Sequence, residues 1–424
     1  MARSEKPMQE KWEKGHHRSG LIIVMTVMGV LLIPAAVAWS ETGRGSVVVT
    51  RTYHPPNPDV LDGFGMALAG YQNLALVGAP NEVHDGHEAG MAYLVDRGTS
   101  RVMHVLELPG PTGGALFGQS VALNGRFAGI GAPHSRDGAG TYTGGVYLYD
   151  RVTGKHTRTI TNPNPVTGIF GHAIAMSETR LLVGDPQAST DVTYYTGAAY
   201  VFDLTTGERL VTLQPPGGAV GRRGWFGHAV ALSESIYVVS APHEQKDSVP
   251  SGVVYGFDAG SGGLIQIFVN PHPTESFFGW SLALADDLLF VGGFGYRGTY
   301  EEEGIVYVFQ AASGKLLRTV NNPEPHEGAQ FGKTVAILPK FLIVGAPGES
   351  FNETGMPSGA VYVFDRKSGK LLDKIVNPGK PSGADDLFGV ALATANEHLL
   401  VGAPFGGNDN ELDAGLVYEF ELSP

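Results

Sequence analysis

Residues 331–364 read FGKTVAILPK FLIVGAPGES FNETGMPSGA VYVF, and this stretch contains every anchor of an internal repeat. It opens with Phe331-Gly332 and reaches the triplet Gly345-Ala346-Pro347 fourteen residues after Phe331. The same Phe-Gly pair starts at Phe64, Phe117, Phe170, Phe226, Phe278, Phe331 and Phe388. The chain therefore holds seven copies of one unit, separated by 52 to 57 residues.

The spacing between the Phe-Gly pair and the triplet is constant in all seven units, even where the residue types of the triplet vary. Triplets begin fourteen residues after each Phe, at Gly78, Gly131, Gly184, Ser240, Gly292, Gly345 and Gly402. A Tyr preceded by a Gly three positions earlier follows at Tyr93, Tyr147, Tyr200, Tyr255, Tyr307, Tyr362 and Tyr418. A repeat of this length with fixed internal spacing is typical of an architecture built from stacked identical units.

Each unit reads as four strands, because runs of β-branched and aromatic residues alternate with turn residues. In the sixth unit the first strand holds Phe331-Gly332 and residues 334–337, and the others cover 341–344, 360–364 and 371–376. Four-stranded units repeated around a ring are propeller blades. The sequence therefore predicts an all-β fold, a seven-bladed β-propeller.

The two ends of the chain predict how the ring closes. The seventh unit stops at residues 420–422 without a fourth strand, while residues 46–52 resemble a fourth strand with no unit of its own. We expect the N-terminal strand to complete the last blade, which removes the two open sheet edges. The recurrent Phe is expected to wedge between blades, and the recurrent Tyr to give its hydroxyl a polar partner.

The amino-acid composition argues against disulfides, thiolate metal sites and nucleic-acid binding. There are 60 Gly, 27 Pro and no Cys, so neither disulfides nor thiolate metal sites are expected. The formal net charge is −13, and nothing in it resembles the basic footprint of a nucleic-acid-binding protein.

The first forty residues read as an export signal. A polar start carrying five basic residues precedes the apolar run 21–33 and a small-residue ending at Ala36-Val37-Ala38. We therefore expect a signal peptide over 1–38 cut after Ala38, a short linker over 39–44 and the propeller over 45–424. The alternative is an uncleaved signal anchor over 21–39, which would be the only membrane attachment.

These repeats resemble the FG-GAP repeat family, which includes the N-terminal propellers of integrin alpha subunits and shorter forms in exported bacterial proteins. The resemblance covers residues 45–424 and implies a propeller used in adhesion or binding. Integrin blades often carry an Asp-rich calcium loop between Phe-Gly and the triplet, whereas residues 333–344 contain no acidic residue. No cofactor or metal is therefore expected, and the chain resembles the calcium-free bacterial form most.

The loops between second and third strands vary most, and variable loops on a rigid frame are where binding residues usually lie. The residue after the triplet is Asn81, His134, Gln187 and His243 in the first four units, and these, with Trp225, are the candidate ligand-binding residues. Acidic candidates in the loops are Asp85, Asp137 and Asp247. His172 and His228, which directly follow Phe-Gly, are interpreted as packing residues. Trp280 is a candidate contact residue, for which packing between blades is the favoured alternative.

The resulting hypothesis is an exported, monomeric binding propeller, not an enzyme, that recognises an extracellular protein or glycan and does not bind nucleic acid. One alternative is a hydrolase or lyase at the funnel with His134, His243 and loop carboxylates as acid and base. The other is a structural envelope protein without a defined ligand. A site with convergent acid–base groups would favour the enzyme, and an aromatic patch on the loop face would favour the binder.

Overall fold

The computed structural model describes residues 47–423 except 60, 84–85, 111–112, 165–167, 190–195, 217–223, 247–248, 274–275, 350–356, 380–385 and 408–412. The described part contains strands and turns but no helix, and so no helix long and apolar enough to cross a membrane. The strands form seven four-stranded antiparallel sheets and one small hairpin.

The first three blades follow one another along the chain. Blade 1 consists of β2 (Ala67–Tyr71), β3 (Leu74–Ala79), β4 (Met91–Asp96) and β5 (Arg101–Glu107). Blade 2 consists of β6 (Ser120–Leu123), β7 (Phe127–Ala132), β8 (Gly145–Asp150) and β9 (His156–Thr161). Blade 3 consists of β10 (Ala173–Met176), β11 (Arg180–Asp185), β12 (Ala198–Asp203) and β13 (Arg209–Leu213).

The next three blades repeat the plan. Blade 4 consists of β14 (Val230–Leu232), β15 (Ile236–Ala241), β18 (Val253–Asp258) and β19 (Leu264–Val269), with the hairpin β16 (Gln245–Lys246) and β17 (Val249–Pro250) in its central loop. Blade 5 consists of β20 (Ser281–Ala285), β21 (Leu288–Gly293), β22 (Ile305–Gln310) and β23 (Leu316–Asn321). Blade 6 consists of β24 (Thr334–Ile337), β25 (Phe341–Ala346), β26 (Ala360–Asp365) and β27 (Leu371–Val376).

Blade 7 joins the two ends of the chain, as the sequence predicted. It consists of β28 (Ala391–Ala395), β29 (His398–Ala403), β30 (Leu416–Leu422) and β1 (Val47–Tyr53). β1 pairs antiparallel with β30 from Val47 opposite Leu422 to Tyr53 opposite Val417, with a bulge between Val49 and Arg51. The fourth strand of the last blade is thus the first strand of the sequence, and the ring is closed by main-chain hydrogen bonds.

The recurrent Phe packs between neighbouring blades, as expected. Phe64 lies in one core cluster with Val77 of blade 1 and Leu400 of blade 7, and Phe388 links blades 6 and 7 in the same way. In every blade the Phe ring contacts the recurrent Tyr ring at a centroid distance of 5.3 to 5.8 Å. The repeated aromatic pair is therefore the core of the frame.

The Phe-Gly pair corrects one detail of the prediction, because it lies in the turn before the first strand and not inside it. The Gly has φ between 85° and 98° in all seven repeats, a conformation outside the β region that glycine adopts readily. The carbonyl oxygen of the Phe-Gly glycine also lies close to the triplet Gly of the preceding blade. A Cβ added to Gly78 of blade 1 would lie 2.0 Å from the carbonyl oxygen of Gly118 in blade 2. The triplet Gly therefore permits the close contact between blades.

The Tyr hydroxyl finds a polar partner in several blades, as predicted. Tyr93 donates to Glu82, Tyr255 to Glu244 at 2.6 Å and Tyr362 to Glu349 at 2.9 Å. In blade 5 the Tyr307 hydroxyl lies 3.1 Å from a ring nitrogen of His272. The partner thus changes between blades while the Tyr keeps its place.

Candidate binding site at the channel mouth

The loops after the second strands and the loops before the first strands lie on one face of the ring. The main-chain N–H of His134 donates to the Ala115 carbonyl, and that of His243 to the Gly224 carbonyl, both at 3.1 Å. The Asn81 N–H likewise donates to Asp62 at 3.2 Å. The residue after each of these triplets is therefore tied to the residue two places before the Phe of its own repeat.

The residue directly after Phe-Gly varies between blades, and only blades 3 and 4 share the same residue type, although its place in the repeat is the same. In blade order these residues are Met66, Gln119, His172, His228, Trp280, Lys333 and Val390. They precede the innermost strands, which neighbour one another around the ring. This single position therefore brings seven side chains that are far apart in sequence to the inner edge of the ring.

In blades 3 to 6 these side chains touch in series. The rings of His172 and His228 have centroids 5.0 Å apart, and those of His228 and Trp280 are 4.3 Å apart. The Lys333 ammonium lies 4.6 Å from the Trp280 ring. A continuous arc of imidazole, indole and ammonium groups thus crosses four blades.

A second layer of rings covers this arc from the loop side. His243 packs against Trp225 at 4.3 Å and against Phe277 at 5.1 Å. Phe277 stacks on Phe294 at 5.1 Å, and Phe294 lies 3.6 Å below the Lys333 ammonium. Together the eight side chains form what we call the channel-mouth cluster: His172, Trp225, His228, His243, Phe277, Trp280, Phe294 and Lys333.

The backbone holds the second layer in an unusual conformation. Trp225 and Phe277, which stand immediately before their Phe-Gly pairs, have φ of 58° and 48°. Leu116, Gln330 and Leu387 occupy the same position with φ between 52° and 55°. A left-handed conformation is uncommon for large side chains and persists only where the surroundings enforce it. In these five blades the residue before Phe-Gly therefore has the same left-handed conformation, and in blades 4 and 5 this residue is aromatic.

Burial keeps the imidazoles of the cluster neutral near pH 7. It lowers the pKa of His172 to about 4, with a smaller contribution from His134. Burial also lowers the pKa of His228 well below its ordinary value, helped by His172, His243 and Lys333. The pKa of Lys333 falls to about 8 for the same main reason. The mouth is thus an aromatic surface that carries one ammonium group.

Two imidazole nitrogens in the cluster have no hydrogen-bond partner: His228 Nδ1 and His243 Nε2. Within the described residues, no hydrogen bond or ion pair joins His172, His228 or His243 to a carboxylate. Buried polar atoms are normally paired, so an unpaired one calls for an explanation.

The structure brings together only some of the residues selected from the sequence. His243 and Trp225 are half-buried and in contact. His134 is exposed with its ring 6.3 Å from Tyr142, Asn81 is exposed, and Gln187 is half-buried outside the cluster. Asp137 accepts the N–H groups of its own loop at 2.9 Å, as a turn residue does. Asp85 and Asp247 lie outside the described residues.

Sequence reasoning passed over Lys333, Phe277 and Phe294, and favoured packing for His172, His228 and Trp280. The signal that identifies most of them is the variable position after Phe-Gly, where polar and aromatic residues break an otherwise regular repeat. Phe294 stands where other repeats have the Pro of the triplet. The residues that depart from the repeat therefore indicate the candidate site better than the variable loops do.

A closed ring of seven four-stranded antiparallel blades defines the class of protein, a β-propeller. The model of the FG-GAP repeat family matches residues 323–364, which run from the Asn-Pro turn of blade 6 to its third strand. The other six repeats keep the Phe, Gly and Tyr anchors of that segment. Among curated proteins, none matches the chain. The chain is therefore a β-propeller that carries an FG-GAP repeat at residues 323–364.

Proposed function

We propose that this propeller is a binding module whose channel-mouth cluster recognises an extracellular glycan or a protein loop. The FG-GAP propeller fold is consistent with binding and adhesion. The observation that carries the proposal is the cluster itself: blades 3 to 5 contribute adjoining rings to one surface, and blade 6 adds the Lys333 ammonium. Aromatic rings with polar edges are the usual anchors of binding sites.

The cluster fits a ligand with a flat apolar face and hydroxyl groups at its edge. The C–H face of a sugar ring can lie against Trp225 or Trp280, and a shift of the covering rings on binding would let its hydroxyls donate to the buried His228 Nδ1 and His243 Nε2. The Lys333 ammonium adds a donor beside the same rings. A glycan uses all three features, so we place it before a protein loop.

The same features favour a binding module over a hydrolase. General acid–base catalysis needs a group whose pKa lies near the working pH and which reaches the reacting atom. In the cluster the imidazole pKa values are lowered by burial and no carboxylate partner orients the rings in the described residues. We therefore propose binding without covalent chemistry, by an exported protein whose leader is removed after Ala38.

The test is a glycan-array and extracellular-protein screen of the full chain, repeated with calcium and with a chelator. A saturable ligand should lose at least tenfold in affinity in Trp225→Leu, about 1.4 kcal/mol. Leu is chosen because Leu116 and Leu387 already adopt the same left-handed conformation in blades 2 and 7. The substitution therefore removes the indole without requiring a backbone conformation that Leu does not already adopt in this protein.

The matched control is Leu387→Trp, which places an indole at the equivalent position outside the cluster and should leave affinity within twofold. Loss of binding in Trp225→Leu with an unchanged melting temperature supports the site. Equal binding by Trp225→Leu, His243→Ala and the parent chain would refute it. Full loss of binding in the chelator would instead require a cation, contrary to the proposal.

A further inference from the structure

A cavity of about 450 Å³ lies at blade 1, away from the channel-mouth cluster. Its floor and walls come from the Asn57-Pro58-Asp59 turn after β1, from β4 and β5, and from the start of the loop after β3. Four carboxyl groups line it, those of Asp59, Asp62, Glu82 and Glu107. Apolar walls are supplied by Pro58, Val83, Met91 and Val105.

Glu82 is the unusual group in this cavity. It is only 5% exposed, and its Oε1 accepts the Tyr93 hydroxyl. Its Oε2 is buried and has no hydrogen-bond partner. Burial raises the pKa of Glu82 to about 7, the Tyr93 bond opposes that rise, and the Asp62 charge adds to it. A buried carboxylate oxygen without a partner is costly, and it faces a cavity large enough for a ligand.

Blade 6 contains the same arrangement with its cation already in place. Glu349 stands four residues after its triplet Gly, as Glu82 does, and accepts the Tyr362 hydroxyl at 2.9 Å. The Lys374 ammonium lies 3.0 Å from Glu349 Oε1 and 5.2 Å from the Tyr362 ring. It also pairs with Glu324, which follows the Asn-Pro turn of that repeat.

The strand register shows what blade 1 lacks. In blade 6, Lys374 of β27 is paired with Tyr362 of β26. In blade 1, Tyr93 of β4 is paired with Val105 of β5. Blade 1 therefore repeats the Glu, the Tyr and the acidic residue of the turn, but has a valine at the lysine position.

Two positions beside the blade 1 cavity carry carboxyl groups that their equivalents in blade 6 lack. Asp62 and Glu107 stand where blade 6 has Ala329 and Val376. No ion pair to Glu82 or Asp62 occurs among the described residues. The site thus has more carboxyl groups than its counterpart and no internal cation at the place where its counterpart has one.

We propose that the blade 1 cavity binds a primary ammonium group on an aliphatic stem, such as a lysine side chain, in the place that Lys374 occupies in blade 6. The Glu82 carboxylate accepts the ammonium as Glu349 accepts Lys374, the Tyr93 ring lies beside it, and Pro58, Val83 and Val105 flank the stem. Among the described residues no three acidic or imidazole groups converge as a metal ion requires, which favours an organic cation. This site is separate from the proposed function and does not depend on it.

The experiment titrates the full chain by calorimetry with Nα-acetyl-lysine amide, spermidine and calcium chloride. Nα,Nε-diacetyl-lysine amide is the matched control, because it keeps the stem and removes the charge. We expect one saturable site for the lysine compound and none for its acetylated form. Tighter binding of spermidine assigns the natural source to a free polyamine, and tighter binding of the lysine compound assigns it to a protein side chain. Equal binding of the acetylated form, or saturation by calcium alone, would overturn the proposal.

Three variants locate the site. Glu82→Gln removes the charge while keeping the shape, and should weaken binding at least about tenfold. Val105→Lys supplies the blade 6 cation internally and should block binding while raising the melting temperature; Val105 is 44% exposed, so the longer stem has room. Lys374→Val should create a second site and change the stoichiometry from one to two. Unchanged binding in both Glu82→Gln and Val105→Lys would refute the assignment whatever Lys374→Val does.

Discussion

The closing blade and the channel-mouth cluster both depart from the repeat, but they treat buried polar groups in opposite ways. In the closing blade, Glu419 is fully buried and contacts Arg97 at 2.8 Å, His398 at 3.0 Å, Arg51 at 3.5 Å and the Tyr53 hydroxyl. In the cluster, His228 Nδ1 and His243 Nε2 are buried and contact no donor or acceptor.

The difference separates a structural site from the proposed binding site. The partners of Glu419 come from β1, β29 and the residue after β4, so one carboxylate ties the N-terminal strand to blades 7 and 1. Arg97 also donates to the Gln72 carbonyl at 2.6 Å. A connected network of charged groups stabilises one arrangement of the chain, whereas the two imidazole nitrogens at the channel mouth are buried without a hydrogen-bond partner.

The largest effect is expected where the ring closes. Deleting residues 45–53 removes the fourth strand of blade 7, exposes the edge of β30 and takes away two partners of Glu419. We expect the melting temperature to fall by roughly 10 °C or more, since several kcal/mol are lost. Calorimetry of the deleted and parent chains checks this. An unchanged melting temperature would mean that β1 does not close the ring.

A single substitution tests the network itself. Arg97→Met leaves the Glu419 carboxylate buried with its main partner gone, and should lower the free energy of unfolding by about 3–5 kcal/mol. Denaturant unfolding measures the change. The control is Arg136→Met, since Arg136 lies on an exposed loop and contacts Tyr142; its effect should stay under about 1 kcal/mol. Equal effects of the two substitutions would contradict a structural role for the Glu419 network.

The smallest effect should appear in the cluster, and only on acidification. The pKa of His172 is about 4 in the folded chain and near 6.5 when unfolded, so unfolding takes up a proton between these pH values. Its contribution to stability is therefore present above pH 6.5 and lost as the pH falls toward 4. His172→Gln removes this dependence, and Gln119 occupies the same position in blade 2.

The measurement is denaturant unfolding of the parent and His172→Gln chains at pH 7 and pH 4.5. The difference between their free energies of unfolding should shift by at most about 3 kcal/mol in favour of the variant at the lower pH. Parallel changes in the two chains would show that His172 titrates normally and is not buried in the cluster.

The frame could be predicted from local pattern because each anchor has a local physical role. The Tyr rings and the strand-ending Pro lie where the repeat predicts them, and the strand predicted over residues 46–52 is observed at Val47–Tyr53. The Phe-Gly pair was placed inside the first strand and instead forms the turn before it, since the Gly φ near 90° does not belong to a strand. The number of blades did not depend on this detail.

The candidate site was predicted only in part. His243 and Trp225 were identified as loop residues, and they do contact each other. Their neighbours His172, Trp280 and Lys333 come from other blades, more than fifty residues apart along the chain. Single-sequence reasoning could align these residues by position, but it could not show that the side chains of successive blades reach one another.

By itself, the sequence determined the seven repeats, their four-stranded form and the pairing of the two chain ends, because periodicity and turn chemistry are local properties. Only the tertiary structure decided which exceptions to the repeat matter. It joined the rings of three blades and the ammonium of a fourth into one surface, and it placed Val105 of blade 1 where Lys374 stands in blade 6. The physical reason is that partners and unsatisfied atoms are properties of the packed ring, and no stretch of the chain carries them alone.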